Sequence, residues 1–102
     1  MIVYSIAQTT NELQSKVDAY LENTSYNKLI NLKKDDMYDQ MYSDICKITN
    51  TYFPTIDITN SVELSIRHDR LANIIEVTGY VKVDYDKFIT IEKTYEGEKN
   101  IV

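Results

Sequence analysis

The chain has no tryptophan and, in 102 residues, one proline, one cysteine, one histidine and two glycines. Each shortage removes a class of chemistry. With Gly79 and Gly97 alone, no glycine-rich loop can bring backbone amides around a phosphate, which excludes P-loop and dinucleotide-binding designs. A lone Cys46 forms no internal disulfide, and this fits a reducing compartment. One histidine and one cysteine cannot complete a tetrahedral zinc site without carboxylates. Arginine is confined to Arg67 and Arg70, and sixteen acids against eleven bases leave a net charge of −5 and a pI near 4.7. That balance opposes sequence-independent binding to nucleic acid, which needs Lys and Arg to displace counterions. It is also too mild to mark a nucleic-acid mimic. No apolar run approaches the roughly 20 residues of a membrane span. The opening Met1-Ile2-Val3-Tyr4-Ser5-Ile6 lacks the basic and long apolar regions of a signal peptide. The expectation is a cytoplasmic chain with no membrane association, no cofactor and no metal. In that setting the sequon Asn23-Thr24-Ser25 is read as chance.

What is abundant is tyrosine, nine against two phenylalanines, and isoleucine, with thirteen. Together with plentiful Asn and Lys, this suggests an AT-rich coding genome, as in a low-GC bacterium or one of its phages or plasmids. A hydrophobic fraction of 43% and a charged fraction of 26% suit a globular fold. The length fits one α+β domain over 1–102, with a helical half at about 9–53, a β half at about 56–95 and a frayed tail at 96–102.

Pro54 divides the periodicities. Thr9-Thr10-Asn11-Glu12 has the form of a capping box, and behind it Leu13, Val17, Tyr20 and Leu21 share a helix face running to about Asn23. Residues 2–7 alternate like a short strand while also extending that helical stripe. Asn23 to Lys34 reads as a polar connection with one apolar turn at 29–32. Asp35 or Asp36 is expected to cap a second helix, whose stripe is Met37, Met41, Ile45, Ile48 and Tyr52, with Tyr38 and Tyr42 at its edge. Beyond Pro54 the period becomes two. Ile56, Ile58, Val62, Leu64 and Ile66 oppose Asp57, Thr59, Ser61, Glu63 and Ser65. Arg67-His68-Asp69-Arg70 suits a hairpin turn. Ile75, Val77, Gly79, Val81, Val83 and Tyr85 then alternate with Glu76, Thr78, Tyr80, Lys82 and Asp84, and Phe88 to Tyr95 makes a third strand. Three strands joined by short turns form an antiparallel meander with one apolar face. Two N-terminal helices cover it, giving a two-layer α+β sandwich, with a short N-terminal strand as an optional addition.

The residues that could carry chemistry are few. Asp36 and Asp39 stand one helical turn apart in Asp35-Asp36-Met37-Tyr38-Asp39, the DDxxD spacing used to hold magnesium-bound diphosphate. The chain is too short for such an enzyme, so the cluster reads as a cap and a solvated first turn. Arg67, His68 and Arg70 form the one concentrated positive patch, able to hold an anion through the arginine fork, or to stand as a solvated hairpin tip. Cys46 lies late in its helix, where the dipole does not favour a thiolate, and reads as a small core or boundary residue. Gly79 marks a bulge or a close backbone approach.

Tyrosine combines a large rigid contact surface with a polar tip. Tyr20, Tyr42 and Tyr52 are expected in the helix–sheet interface, and Tyr4, Tyr26, Tyr38 and Tyr95 nearer the surface. Tyr80 falls on the polar face of its strand with Glu76, Thr78 and Lys82. The expected function is a non-enzymatic protein-binding module, an inhibitor or adaptor of phage or plasmid type (anti-defence, such as anti-CRISPR, or immunity). Tyr80, Glu76, Thr78, Lys82, Asp84, Asp36, Asp39 and Tyr38 would supply its contacts. The expected partner is a larger protein with a basic surface, such as a nucleic-acid-binding one; direct binding to nucleic acid is not expected, and the chain would be a monomer or homodimer. A phage structural or assembly subunit, self-associating through sheet edges such as the one ending near Tyr95, is the alternative. A small ligand-binding domain or enzyme using the Arg67–Arg70 patch ranks third.

Overall fold

Residues 6–97 are described by a computed structural model. Helical segments precede Pro54 and strands dominate after it, as the change in period requires. The elements are helices α1 (Ile6–Glu22), α2 (Tyr26–Ile30), α3 (Lys34–Tyr52) and α4 (Ile58–Ser61), then strands β1 (Val62–Asp69), β2 (Ile74–Asp84) and β3 (Lys87–Glu96). The strands form an antiparallel sheet in the order β1-β2-β3. The two long helices, α1 and α3, pack on one face of it, which is the α+β sandwich implied by the sequence pattern.

The core is that shared interface. Leu13, Val17 and Leu21 from α1, and Met37, Met41 and Ile45 from α3, are buried against Val62, Leu64, Ile75, Val77, Val81, Ile89 and Ile91 of the sheet. Each such side chain contributes about 1.5–3 kcal/mol when fully withdrawn from water. Thr49, which the apolar stripe did not include, is also fully buried on α3; its hydroxyl donates to the Ile45 carbonyl at 2.8 Å and so brings no unpaired polar group inside. Ile48 and Tyr52 pack at the margin.

Polar contacts at the core rim fix how the layers sit. Tyr20 of α1 donates to Asp44 of α3 at 2.7 Å, joining the two helices. Tyr95 of β3 donates to the Leu21 carbonyl at 2.7 Å, joining the sheet to the end of α1, and Lys93 pairs with Glu22 beside it. Tyr95, expected near the surface, is therefore a core residue, only 5% exposed. Its phenol satisfies a carbonyl that the last turn of a helix leaves without an intrahelical donor.

Several boundaries differ from the sequence reading for local reasons. Thr9 lies inside α1, not at its cap: the helix already runs from Ile6, and Thr10 donates to the Ile6 carbonyl at 2.6 Å. Residues 6 and 7 are thus helical, and the rest of the suggested N-terminal strand lies outside the described residues. The 23–34 connection contains α2, capped by Ser25, whose hydroxyl accepts from the Lys28 amide. The α3 cap position is Lys33, without a side-chain hydrogen bond, while Asp35 and Asp36 occupy the first turn, where their charge still opposes the helix dipole. Ile56 and Ile58 are not in a strand. Asn60 turns back on Asp57 through both its side chain (2.6 Å) and its backbone amide (3.2 Å), winding the short α4 and delaying β1 to Val62. The first hairpin turns later than expected, at residues 70–73, with Asp69 accepting from the Ala72 amide and Asn73 in the left-handed region (φ 55°). A register shift between Lys82 and Asp84 then moves Tyr85 out of the apolar alternation and into the second turn, 90% exposed.

Gly79 marks a close approach. A Cβ there would stand 2.1 Å from the Glu63 carbonyl oxygen on β1, so the neighbouring strand, not a helix, demands the glycine. We expect Gly79→Ala to cost about 1–3 kcal/mol in denaturant unfolding, because backbone must shift to make room; an unchanged midpoint would contradict the approach. Burial also keeps Tyr20 and Tyr95 protonated beyond the ordinary tyrosine value of 10.0, Tyr95 being pushed up to about 12. This contribution to stability is complete below pH 10 and is lost as pH rises toward 12, since the unfolded chain releases those protons first. In pH-dependent unfolding, Tyr95→Phe should show a shallower alkaline loss, while being less stable at pH 7 by about 1 kcal/mol for the missing hydrogen bond.

Candidate functional site

Alternation places every second residue of the sheet on the side away from the helices, and no described residue covers that side. Glu63 and Ser65 of β1, Thr78, Tyr80 and Lys82 of β2, and Phe88, Thr90 and Glu92 of β3 are all exposed there. Tyr80 is 45% exposed and Phe88 52%. The two rings meet edge-to-face with centroids 5.7 Å apart, a geometry in which the positive ring edge meets the negative face of its neighbour. They form an aromatic pair standing on a polar sheet.

Charge surrounds the pair. Glu63 is the direct cross-strand neighbour of Tyr80, and Thr78 lies between Ser65 and Glu92. Glu76 faces Arg67 across the β1–β2 ladder and binds it at 2.9–3.0 Å through both carboxylate oxygens. The guanidinium holds the Glu76 carboxyl below its usual range, and the carboxylate raises the Arg67 value. This pair helps to fix strand register. Lys82 lies over the Tyr85 ring, 5.7 Å from its centroid. Among the described residues Glu63 and Glu92 have no ion-pair partner, and with Lys82 opposite Phe88 they leave a slight acid excess around the aromatics.

Five of the eight residues expected to form a contact surface, Glu76, Thr78, Tyr80, Lys82 and Asp84, come together on β2. Asp36, Tyr38 and Asp39 do not join them. They are exposed on α3, in the opposite layer, with Tyr38 stacked on Tyr42 at 5.8 Å. Phe88 was missed, although it alternates out of phase with the buried Ile89 and Ile91 and so belongs with Thr90 and Glu92.

The residues of the positive patch line one groove at the end of the sheet, but the strand turns their side chains in different directions. Arg67 and His68, being consecutive in β1, point to opposite sides. Arg67 turns to the open face and Glu76, while His68 turns toward Tyr26 of α2, with ring centroids 6.3 Å apart. Arg70 begins the turn. The four-residue stretch is therefore not the solvated hairpin tip.

No match to the chain is found among protein-family models, curated proteins or solved structures.

Other candidate chemistry stays without a built site. Burial pushes the Cys46 thiol up, more than its hydrogen bond with Tyr42 lowers it, which disfavours the thiolate a nucleophile requires. Among the described residues no cluster of three or more His, Cys, Asp or Glu side chains is placed to hold a metal ion, and no helix is long and apolar enough to cross a membrane. Thr24 and Ser25 of the sequon have structural uses: Thr24 is buried and donates to the Tyr20 carbonyl, and Ser25 caps α2.

The two sheet edges differ. On β3 the Gln14 side chain of α1 occupies the position of a neighbouring strand, its amide donating to the Thr90 carbonyl and accepting from the Thr90 amide, both at 2.8 Å. The edge expected to be free for self-association, the one leading to Tyr95, is thus plugged at Thr90. Gln14→Ala should lower stability by about 1–2 kcal/mol through two lost hydrogen bonds and raise concentration-dependent association by light scattering. Unchanged association would mean that the amide does not guard this edge.

Proposed function

We propose that the protein is a non-enzymatic binding module that docks on a larger protein through the open face of its sheet, as an inhibitor or adaptor. The observation that carries this reading is the uncovered Tyr80–Phe88 pair, exposed on a face that also carries Glu63, Glu92 and Lys82. Exposed aromatics that adjoin on a polar face mark a contact patch, and aromatics are enriched where two proteins meet. The rigid rings would bury apolar area at small entropic cost, while Glu63 and Glu92 would meet cationic groups on the partner and speed encounter. A basic, nucleic-acid-binding protein is the partner whose charge fits best. A cytoplasmic setting and a phage- or plasmid-type role, anti-defence or immunity, fit the lone cysteine and the amino-acid usage.

The second reading, a self-associating structural subunit, is supported by the outer edge of β1, where among the described residues no helix side chain plays the part of Gln14. Light scattering separates the two: a monomer favours docking on a different protein, and a closed or growing assembly favours the subunit.

The docking reading is tested with the double variant Tyr80→Ala/Phe88→Ala. Both side chains lie outside the core, so unfolding stability should stay within about 0.5 kcal/mol of the parent. Affinity for a partner captured from the source cell should fall at least about tenfold, as loss of a central aromatic contact does, and the parent's binding should weaken with added salt. Equal binding by the variant and the parent would remove the open face as the contact surface.

A further inference from the structure

The end of the sheet where β1 turns into β2 carries a second surface, separate from the open face. A groove of about 930 Å³ lies there between α2, the start of α3 and the first hairpin turn. Two observations single it out. The first is unmet polar chemistry inside it. The Tyr26 hydroxyl and His68 Nε2 are both buried atoms without a hydrogen-bond partner, and both residues line the groove. A buried polar atom left unpaired is costly, so a partner that satisfied both would be favoured.

The second observation is charge. In a chain of net charge −5 the groove is rimmed by Lys33, Arg67 and Arg70. Arg67 is committed to Glu76, but among the described residues neither Lys33 nor Arg70 has an ion-pair partner. The one carboxylate lining the groove, Asp69, is engaged with the Ala72 amide. Beside these groups the wall is apolar and open: Leu71 is fully exposed and Ile30 is 43% exposed. A lone inorganic anion would leave that apolar surface wet. The groove suits a ligand that alternates apolar and anionic groups.

The adjoining edge of β1 indicates how such a ligand could lie. Because Thr90 directs its amide and carbonyl outward to Gln14, its ladder partner Tyr80 directs its own toward β1. By alternation Glu63, Ser65, Arg67 and Asp69 bond to β2, and Leu64, Ile66 and His68 turn their amides and carbonyls to the outside. No described residue takes those groups. This edge runs straight into the groove at His68.

We propose that the groove and the outer edge of β1 together bind an extended acidic peptide segment of a partner protein. The segment adds a strand beside Leu64, Ile66 and His68, rests apolar side chains on Ile30 and Leu71, and sets a carboxylate to accept from Tyr26 and His68 within reach of Arg70 and Lys33. This is recognition by strand addition, in which backbone hydrogen bonds supply affinity and the side-chain pockets supply selectivity. It does not depend on the open-face reading, whose contacts lie around Tyr80.

The test is titration of the full chain, isotope-labelled, with a capped hexapeptide of alternating leucine and aspartate, followed by amide and imidazole resonances. The expected result is saturable shifts at Leu64, Ile66 and the His68 ring, with Tyr80 and Phe88 unmoved. Arg70→Glu and Lys33→Glu should each weaken binding about tenfold, the effect of one charge-assisted contact. Tyr26→Phe should weaken it while leaving the chain folded. Four results would overturn the proposal: no saturable shift at millimolar peptide, equal binding of the lysine counterpart, inorganic phosphate giving the same shifts at the same affinity, or β1 shifts arising on concentration of the chain alone, which would make a second copy the occupant.

Discussion

Burying one face of a three-stranded sheet under two helices is the constraint on which the rest of this structure depends. A sheet of this size has a single apolar side, and α1 and α3 exhaust their own apolar stripes in covering it. The opposite side must then be solvated, which is why Thr, Ser, Glu and Lys fill its positions. Against that composition an edge-to-face Tyr80–Phe88 pair is an exception, and exceptions to a solvated pattern point to contact. The same constraint leaves the outer edge of β1 and the end of the sheet beside α2 as the places where unsatisfied backbone and side-chain groups collect.

Much of the fold follows from local pattern. The stripe Leu13, Val17, Leu21 and the stripe Met37, Met41, Ile45 are readable because a 3.6-residue period must face a core, and β2 and β3 are readable because period two has no other use. Two of the misreadings share a cause: a short side-chain hydrogen bond decided the backbone where periodicity was ambiguous. Asn60 on Asp57 converts the start of an apparent strand into α4. Asp69 on Ala72 moves a turn past its charged residues. Tyr95 is assigned to the core by a partner 74 residues earlier, the Leu21 carbonyl, which no local window contains.

The two candidate surfaces differ in legibility for the same reason. Tyr80 belongs to the open face by alternation alone, and the phase of Ile89 and Ile91 could have added Phe88. The meeting of Tyr26 with His68 could not be read in advance, since it depends on α2 folding back over the end of β1. The residues of the anion-binding expectation, Arg67, His68 and Arg70, all line the groove at the end of the sheet. Alternation along β1 nevertheless gives them different partners, Arg67 taking Glu76 and His68 facing Tyr26.

The Gln14 amide seated on Thr90 has a consequence for assembly. A sheet with two open edges can accept neighbours on both sides, and copies of it can then stack without limit into a fibre. Here an incoming strand at β3 meets, at Thr90, a side chain already holding the hydrogen bonds it would need there. Growth is left with one direction. Two copies meeting edge to edge through β1 would close a six-stranded sheet bounded by a plugged strand at either end. With β3 closed at Thr90, assembly by strand pairing would end at two molecules, and a single glutamine would separate a finite particle from a filament.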